Sequence, residues 1–450
     1  MHQYPRSRGV TLIDTLVGAA LLLVMFLGIA GIAQLSISIV TNNKARTGAL
    51  ALANEQMEYI RGLQYEDIGT SGGIPSGNIA PEEGMSFNGV SYTRRTLVRW
   101  ADAPEDGLGE SDENDIITDY KEVRIGVTWM SRGGVREIAL VSRVSPVGEE
   151  TAVSGGTLSF LVVDEDAQPV SSARVDITNA SVVPAVSITT FTNTDGRVLF
   201  LGAPEGSGYV IAISKTGYGT AGTYDATAEN PNPSPGHLTV VQYETTSATF
   251  TISPLGSLSV HMETEVGTST VPASNVTFVV RGSKTVGTDA SGAPIHKHNE
   301  EYTTDALGSV SIPEIEADTY SVSIDGAAEG YDIQEACAPL PFTVAPAENV
   351  SEAISLTSDS AHSLLVSVRD EIGNSLQGAS VRLYRDVSYD ETIATSACGQ
   401  AFFASLGEGT VAGGNPYSIA VSAAGHEPYT SVDVNATEAS MVSVVLNTQP

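Results

Sequence analysis

The chain has only two cysteines, Cys337 and Cys398. That is too few for a disulfide-framework scaffold, and their spacing matches no metal-ligand motif. Basic residues are scarce as well: 22 Lys and Arg face 53 Asp and Glu, a net charge of −31. A surface of that sign excludes nucleic acid as a partner, because phosphate binding needs clustered Lys and Arg. It suits solubility and cation binding instead. Aromatics make up only 6% of the residues, while Gly, Ser, Thr, Val and Ala abound. That balance fits exported β-domains better than helical ones. At 450 residues the chain has room for two to four domains beyond a membrane segment.

Catalytic constellations are missing too, and no enzyme is expected. Gly69-Thr70-Ser71-Gly72-Gly73 matches the hydrolase pattern G-x-S-x-G. It follows a helical pattern and precedes a proline loop, whereas the nucleophile elbow joins a strand to a helix. Gly217 to Gly222 matches G-x-G-x-x-G, yet Pro231 and Pro233 forbid the helix that must follow. His296 and His298 have no third ligand fixed by spacing and read as part of an exposed insert.

What the chain does have is one long apolar run near its start. From Leu16 to Val40 the only strongly polar side chain is Gln34. A helix over residues 10–40 spans a hydrocarbon core of roughly 30 Å at about 1.5 Å per residue. Arg6 and Arg8 precede it, which keeps the short head in the cytoplasm and places the bulk outside. A secretory signal peptide has a shorter apolar region followed by a small-x-small cleavage site; here the glycine stands before the run.

The polar head, Gly9 and the Thr11-Leu12-Ile13 run, in that order, resemble the N-terminal region of type IV pilin-like proteins over residues 9–65. The resemblance implies a leader of residues 1–9, cleavage between Gly9 and Val10 by a prepilin peptidase, and packing of the mature helix among other pilin subunits. It also implies an acid at the fifth mature position; the family usually has glutamate there, and this chain has Asp14. The helix is expected over residues 10–66, because Ala49, Leu52, Ala53, Gln56, Met57, Ile60 and Leu63 recur at three- and four-residue spacing. Gly69, Gly72 and Gly73 are read as its end.

Residues 67–150 read as a small antiparallel sheet. Strands are expected at Gly89–Trp100, Tyr120–Trp129 and Val135–Val144, the last two forming a hairpin around Arg132-Gly133-Gly134. Long helix, loop and hairpin in that order resemble a minor pilin or pseudopilin head. The loop between the first two strands is crowded with acids, and Asp102, Asp106, Asp112 and Asp115 are candidate Ca²⁺ ligands. Their spacing is not that of an EF-hand, and a solvated acidic loop is the alternative.

From Gly155 the chain repeats. Leu158–Asp164, Leu258–Met262 and Leu364–Asp370 each open a unit, and each is followed by an Ala-x-Val or Asn-Val strand, a turn and a Tyr-x-Val or Tyr-x-Ile strand. Three units, 155–253, 256–357 and 360–447, each of about seven short strands, read as β-sandwiches in series. Their order resembles the carboxypeptidase-regulatory or transthyretin-like sandwich. The middle unit departs most, through an insert from Lys284 to Glu301.

The fold expected is therefore an α+β pilin-like module followed by three all-β sandwiches. The function expected is that of a minor pilin or pilin-like subunit. It is held in the inner membrane before assembly, then exposed in an extracellular filament whose sandwiches bind a surface ligand. A type II secretion pseudopilin and a membrane-anchored binding protein that never enters a filament are the alternatives. Cys337 and Cys398 lie in different sandwiches, with Cys398 at the turn position read as equivalent to Asp195 and Asp305. Export to an oxidising compartment favours a bond between them, which requires the two sandwiches to bring their Cα atoms within about 7 Å.

Overall fold

The computed structural model describes residues 12–102, 118–131, 134–146, 155–267 and 269–449. It is an N-terminal helix followed by β-sandwich domains. Helix α1 runs from Leu12 to Arg61. It stops short of the expected Glu66: from Gly62 the ladder gives way to a tighter bond from Leu63 N to Ile60 O, and Tyr65–Asp67 form a separate 3-10 turn. The glycines beyond serve the loop rather than a helix cap. A Cβ on Gly69 would lie 2.4 Å from Ser76 O, and one on Gly77 would lie 2.4 Å from Gly69 O. Only bare backbone can cross there.

The second half of α1 lies on a four-stranded antiparallel meander, β1 (Glu82–Phe87), β2 (Val90–Ala101), β3 (Tyr120–Ser131) and β4 (Gly134–Val144). Strand β1 adds to the three strands expected from the sequence. Ala45, Ala49, Leu52, Ala53, Met57 and Ile60 form the buried stripe of α1, against Val98, Val123, Ile125, Val127 and Trp129. Alanines at the contact let helix and sheet approach closely. The Tyr92 hydroxyl donates to Ala45 O at 2.9 Å, which fixes the helix along the sheet.

Beyond Gly155 come three units, each with its own apolar core. In each, the opening strand is central to one sheet. Gly156–Val163 pairs antiparallel with Arg197–Ala203 and parallel with Thr245–Thr251. Gly256–Val266 does the same with Ser309–Ile315 and Asn349–Ser358. Leu364–Asp370 does so with Gln400–Phe403 and Ser440–Leu446. A second sheet closes each core. Among the described residues nine, eleven and seven strands make up the three units, so the expected seven holds only for the last.

The repeat extends to single atoms. Tyr209, Tyr320 and Tyr417 are among the largest fully buried side chains, and each donates its hydroxyl to a loop carbonyl: Pro204 O at 2.5 Å, Glu316 O at 2.8 Å and Gly407 O at 2.9 Å. Thr192, Thr304 and Thr395 are buried at matching places, each bonding backbone on both sides. In the following turn the side-chain oxygen of Asn193, Asp305 or Ser396 accepts two backbone N–H groups. Two of these acceptors lie two residues before Asp195 and Cys398, so the second-unit equivalent of Cys398 is Leu307, not Asp305. The glycine one residue on (Gly196, Gly308, Gly399) has φ of 69–72°, the left-handed region where a side chain strains.

Candidate functional site

Two regions hold the residues with functional promise: the bare end of α1 and the joints between units. Gly9 and Val10 lie outside the described residues. Asp14 lies in the first turn of α1. Downstream of it Leu21, Val24, Phe26, Leu27, Ile32 and Val40 are all more than half exposed. The segment is long and apolar enough to cross a membrane, with a mean hydropathy of 2.2 over its most apolar window and none of that window buried. One helix therefore has two surfaces: an apolar half open on every side, and a half seated on the sheet.

The seat is locked by Lys121. On β3 the inward positions run Lys121, Val123, Ile125, Val127 and Trp129, and the lysine is 2% exposed. Its Nζ donates to Tyr65 O at 2.7 Å and Ile68 O at 2.8 Å, and sits 4.6 Å and 4.9 Å from the ring centres of Tyr65 and Trp100. Burial pulls the ammonium down to about 8, against the opposing fields of Glu66 and Asp67. The sequence reading passed over this residue, although the period-2 pattern of β3 places it among the inward residues.

The candidate calcium ligands are only partly placed. Ala101 faces Tyr120 across the β2–β3 ladder, so Asp102 and Asp119 stand at the two feet of the acidic loop. Asp106, Asp112 and Asp115 lie outside the described residues. Of the four candidates, Asp102 alone is among the described residues.

The joints are built differently from one another. Between the α1 sheet and the first sandwich, Gly72 O accepts Ser187 N at 2.7 Å, and Ile74, Leu97 and Trp100 pack into the sandwich core. Between the first and second sandwiches the insert itself is the connector. Asn232–Pro233 of the first pairs with Thr285–Thr288, which pairs with Pro294–His296. Lys284 reaches Glu165 at 2.5 Å, and Lys297 reaches Glu316 at 2.7 Å and Thr220 O. The histidines are thus not in a free exposed insert. His296 Nδ1 lies 2.6 Å from Gly282 O, and His298 sits edge-on to Tyr320 and stacked on Tyr302, where burial holds its pKa below the ordinary value.

Between the second and third sandwiches, Cys337 and Cys398 are joined by a disulfide with Cα atoms 5.4 Å apart. Gln400 Oε1 accepts Ala336 N at 2.7 Å, Arg369 Nη2 donates to Pro339 O at 2.6 Å, and Leu365 sits in the second core. The cysteines, in separate units, are brought together because the Ser396–Gln400 turn leans on the end of the Tyr331–Cys337 strand.

No family model and no curated protein matches the chain. Solved structures that overlap it include the Bacillus anthracis TIE protein, at 13% identity over 82% of this chain and 73% of that one, with a TM-score of 0.19. GBS52, the minor pilin of Streptococcus agalactiae, overlaps at 13% identity over 45% and 96%, with a TM-score of 0.23. The shaft pilin SpaA of Lactobacillus rhamnosus GG overlaps at 12% identity over 45% and 98%, with a TM-score of 0.18. At these scores the overlap assigns no function to this chain.

Proposed function

We propose that the chain is a minor pilin or pilin-like subunit of a type IV filament, with three sandwiches carried outward for surface binding. The observation that carries this reading is the division of α1. A plain anchor needs only its apolar segment, whereas here the same helix continues into a stripe seated on a four-stranded antiparallel sheet. The bare half has one surface chemistry that suits both lipid and a bundle of like helices, so the subunit can leave the bilayer without exposing that surface to water.

Cleavage after Gly9 leaves Val10 with a free amine. In the assembled bundle the carboxylate of Asp14 pairs with the Val10 amine of a neighbouring subunit and sets the axial register. Burying that acid unpaired costs several kcal/mol, so the pairing selects one register over its neighbours. Aspartate is one methylene shorter than the glutamate usual in this family, and the neighbour must approach correspondingly closer.

The test is a pair of substitutions read in cells. Asp14→Ala is expected to be processed normally but to fall at least tenfold in sheared filaments, while Asp14→Glu assembles. An alanine variant that assembles like the parent chain removes the register argument. A chain that is processed but found only with a secretion machinery supports the pseudopilin reading instead.

A further inference from the structure

The joint between the second and third sandwiches holds a second set of chemically matched groups. The ligating atoms of Glu335, Cys337 and Cys398 all lie within 4.8 Å of one another. We propose that this joint is a latent zinc site: when a dithiol reductant opens the disulfide, the two thiolates and the Glu335 carboxylate hold one Zn²⁺, with water as fourth ligand. Two electrons pass from the reductant to the disulfide, the reductant closes into its own disulfide, and the two thiol protons leave to solvent as the metal binds.

Four features support the site. Tetrahedral zinc bound at about 2.3 Å to sulfur and about 2.0–2.2 Å to oxygen sets its ligands roughly 3.3–3.8 Å apart, so the sulfurs separate from bonding distance once the disulfide opens, while the Glu335 carboxylate already lies within 4.8 Å of both. The three residues keep their places without the covalent bond. Glu335 and Cys337 belong to a strand paired with Asn349–Ser358, and the turn bearing Cys398 is held by Ser396 Oγ, which accepts Cys398 N at 3.2 Å, and by the Gln400–Ala336 bond. The carboxylate is also oriented, since the Ser396 hydroxyl donates to Glu335 Oε1. Such outer bonds aim metal ligands and raise affinity.

The fourth feature is access. A cleft of about 310 Å³ opens beside Glu335 and Ser396 and is bordered by Glu263 and Glu265, with no Lys or Arg among its lining residues. Glu263, Ser355 and Glu335 stand side by side across three strands, so the approach is negative and roomy enough for a hydrated cation. The metal would keep the two sandwiches stapled where the disulfide is reduced.

The test uses the full chain in detergent, reduced with dithiothreitol and then freed of it without oxygen. Equilibrium dialysis against Zn²⁺ is expected to show one equivalent bound beyond that of the oxidised chain, which corrects for the acidic surface. Replacing zinc by Co²⁺ is expected to give thiolate-to-metal absorption. Glu335→Gln leaves the disulfide able to form and is expected to weaken binding at least tenfold, and Cys398→Ser to abolish the extra equivalent. Equal binding by reduced and oxidised chains overturns the site. An unweakened Glu335→Gln, with its disulfide intact before reduction, overturns the proposed ligand set.

Discussion

The ammonium of Lys121 lies 2.7 Å from the carbonyl oxygen of Tyr65 and 4.6 Å from the ring centre of the same residue. One side chain thus ties the exit of α1 to the centre of the sheet. Its folded pKa, about 8, is below the ordinary 10.5, so the unfolded chain holds the proton more tightly between those values. Stability of this module therefore rises as pH climbs from 8 toward 10.5, and the full penalty of the buried charge applies below 8. Lys121→Met removes that rise. It also strips two backbone acceptors of their donor, and is expected to destabilise the module by roughly 1–3 kcal/mol at pH 7. Urea unfolding at pH 7 and pH 10, with hydrogen exchange at Tyr65–Ile68, measures both effects; an unchanged pH slope in the variant contradicts the assignment.

Glu352 carries the opposite sign. It is fully buried on the inner face of its strand, its Oε2 accepts Ala338 N at 3.1 Å, and its Oε1 has no hydrogen-bond partner among the described residues. Burial pushes the carboxyl up to about 7, against the Ala338 bond. The native chain then holds a proton that the unfolded chain has released, so stability falls as pH rises from about 4.5 to 7 and stays low above that. Glu352→Gln keeps the acceptor for Ala338 and cannot ionise. It is expected to gain roughly 1–3 kcal/mol over the parent at pH 8 and little at pH 4.5, measured as unfolding of the second sandwich.

The three buried tyrosines provide an internal control. Tyr209→Phe and Tyr320→Phe each remove one hydroxyl donor to a loop carbonyl and are expected to lower the stability of their own sandwich by about 1 kcal/mol. Tyr417→Phe is expected to cost more, because its hydroxyl also accepts Gly407 N at 3.1 Å. Proteolysis of the native chain, followed fragment by fragment, separates the three units. Equal losses at all three positions contradict the role given to the second bond.

Much of the architecture was legible because it rests on periodicity. The alternation of Val123, Ile125 and Val127 marks β3, and the spacing of Ala49, Ala53, Met57 and Ile60 marks the seated stripe of α1. The threefold recurrence of Tyr-x-Val and Tyr-x-Ile marks each buried tyrosine. What escaped were features created by contact between distant segments. The His296 insert looked free because its partner strand, Asn232–Pro233, is two residues long and carries no pattern. Cys398 was aligned with Asp305 rather than Leu307 because the turn is defined by an oxygen acceptor, and Asn, Asp and Ser all supply one. The expected end of α1 falls too late, since Leu63 continues the apolar stripe and Gly69 reads as the stop, whereas the backbone leaves the helix after Arg61.

The central claim is that this chain is cut at its head and its bare helix then enters a filament. N-terminal sequencing of the mature chain from sheared surface material tests it most directly. The account predicts Val10 as the first residue, and predicts that Gly9→Val leaves the chain uncut in the membrane. A mature chain that begins at Met1, or a Gly9→Val variant of normal mature length, contradicts it.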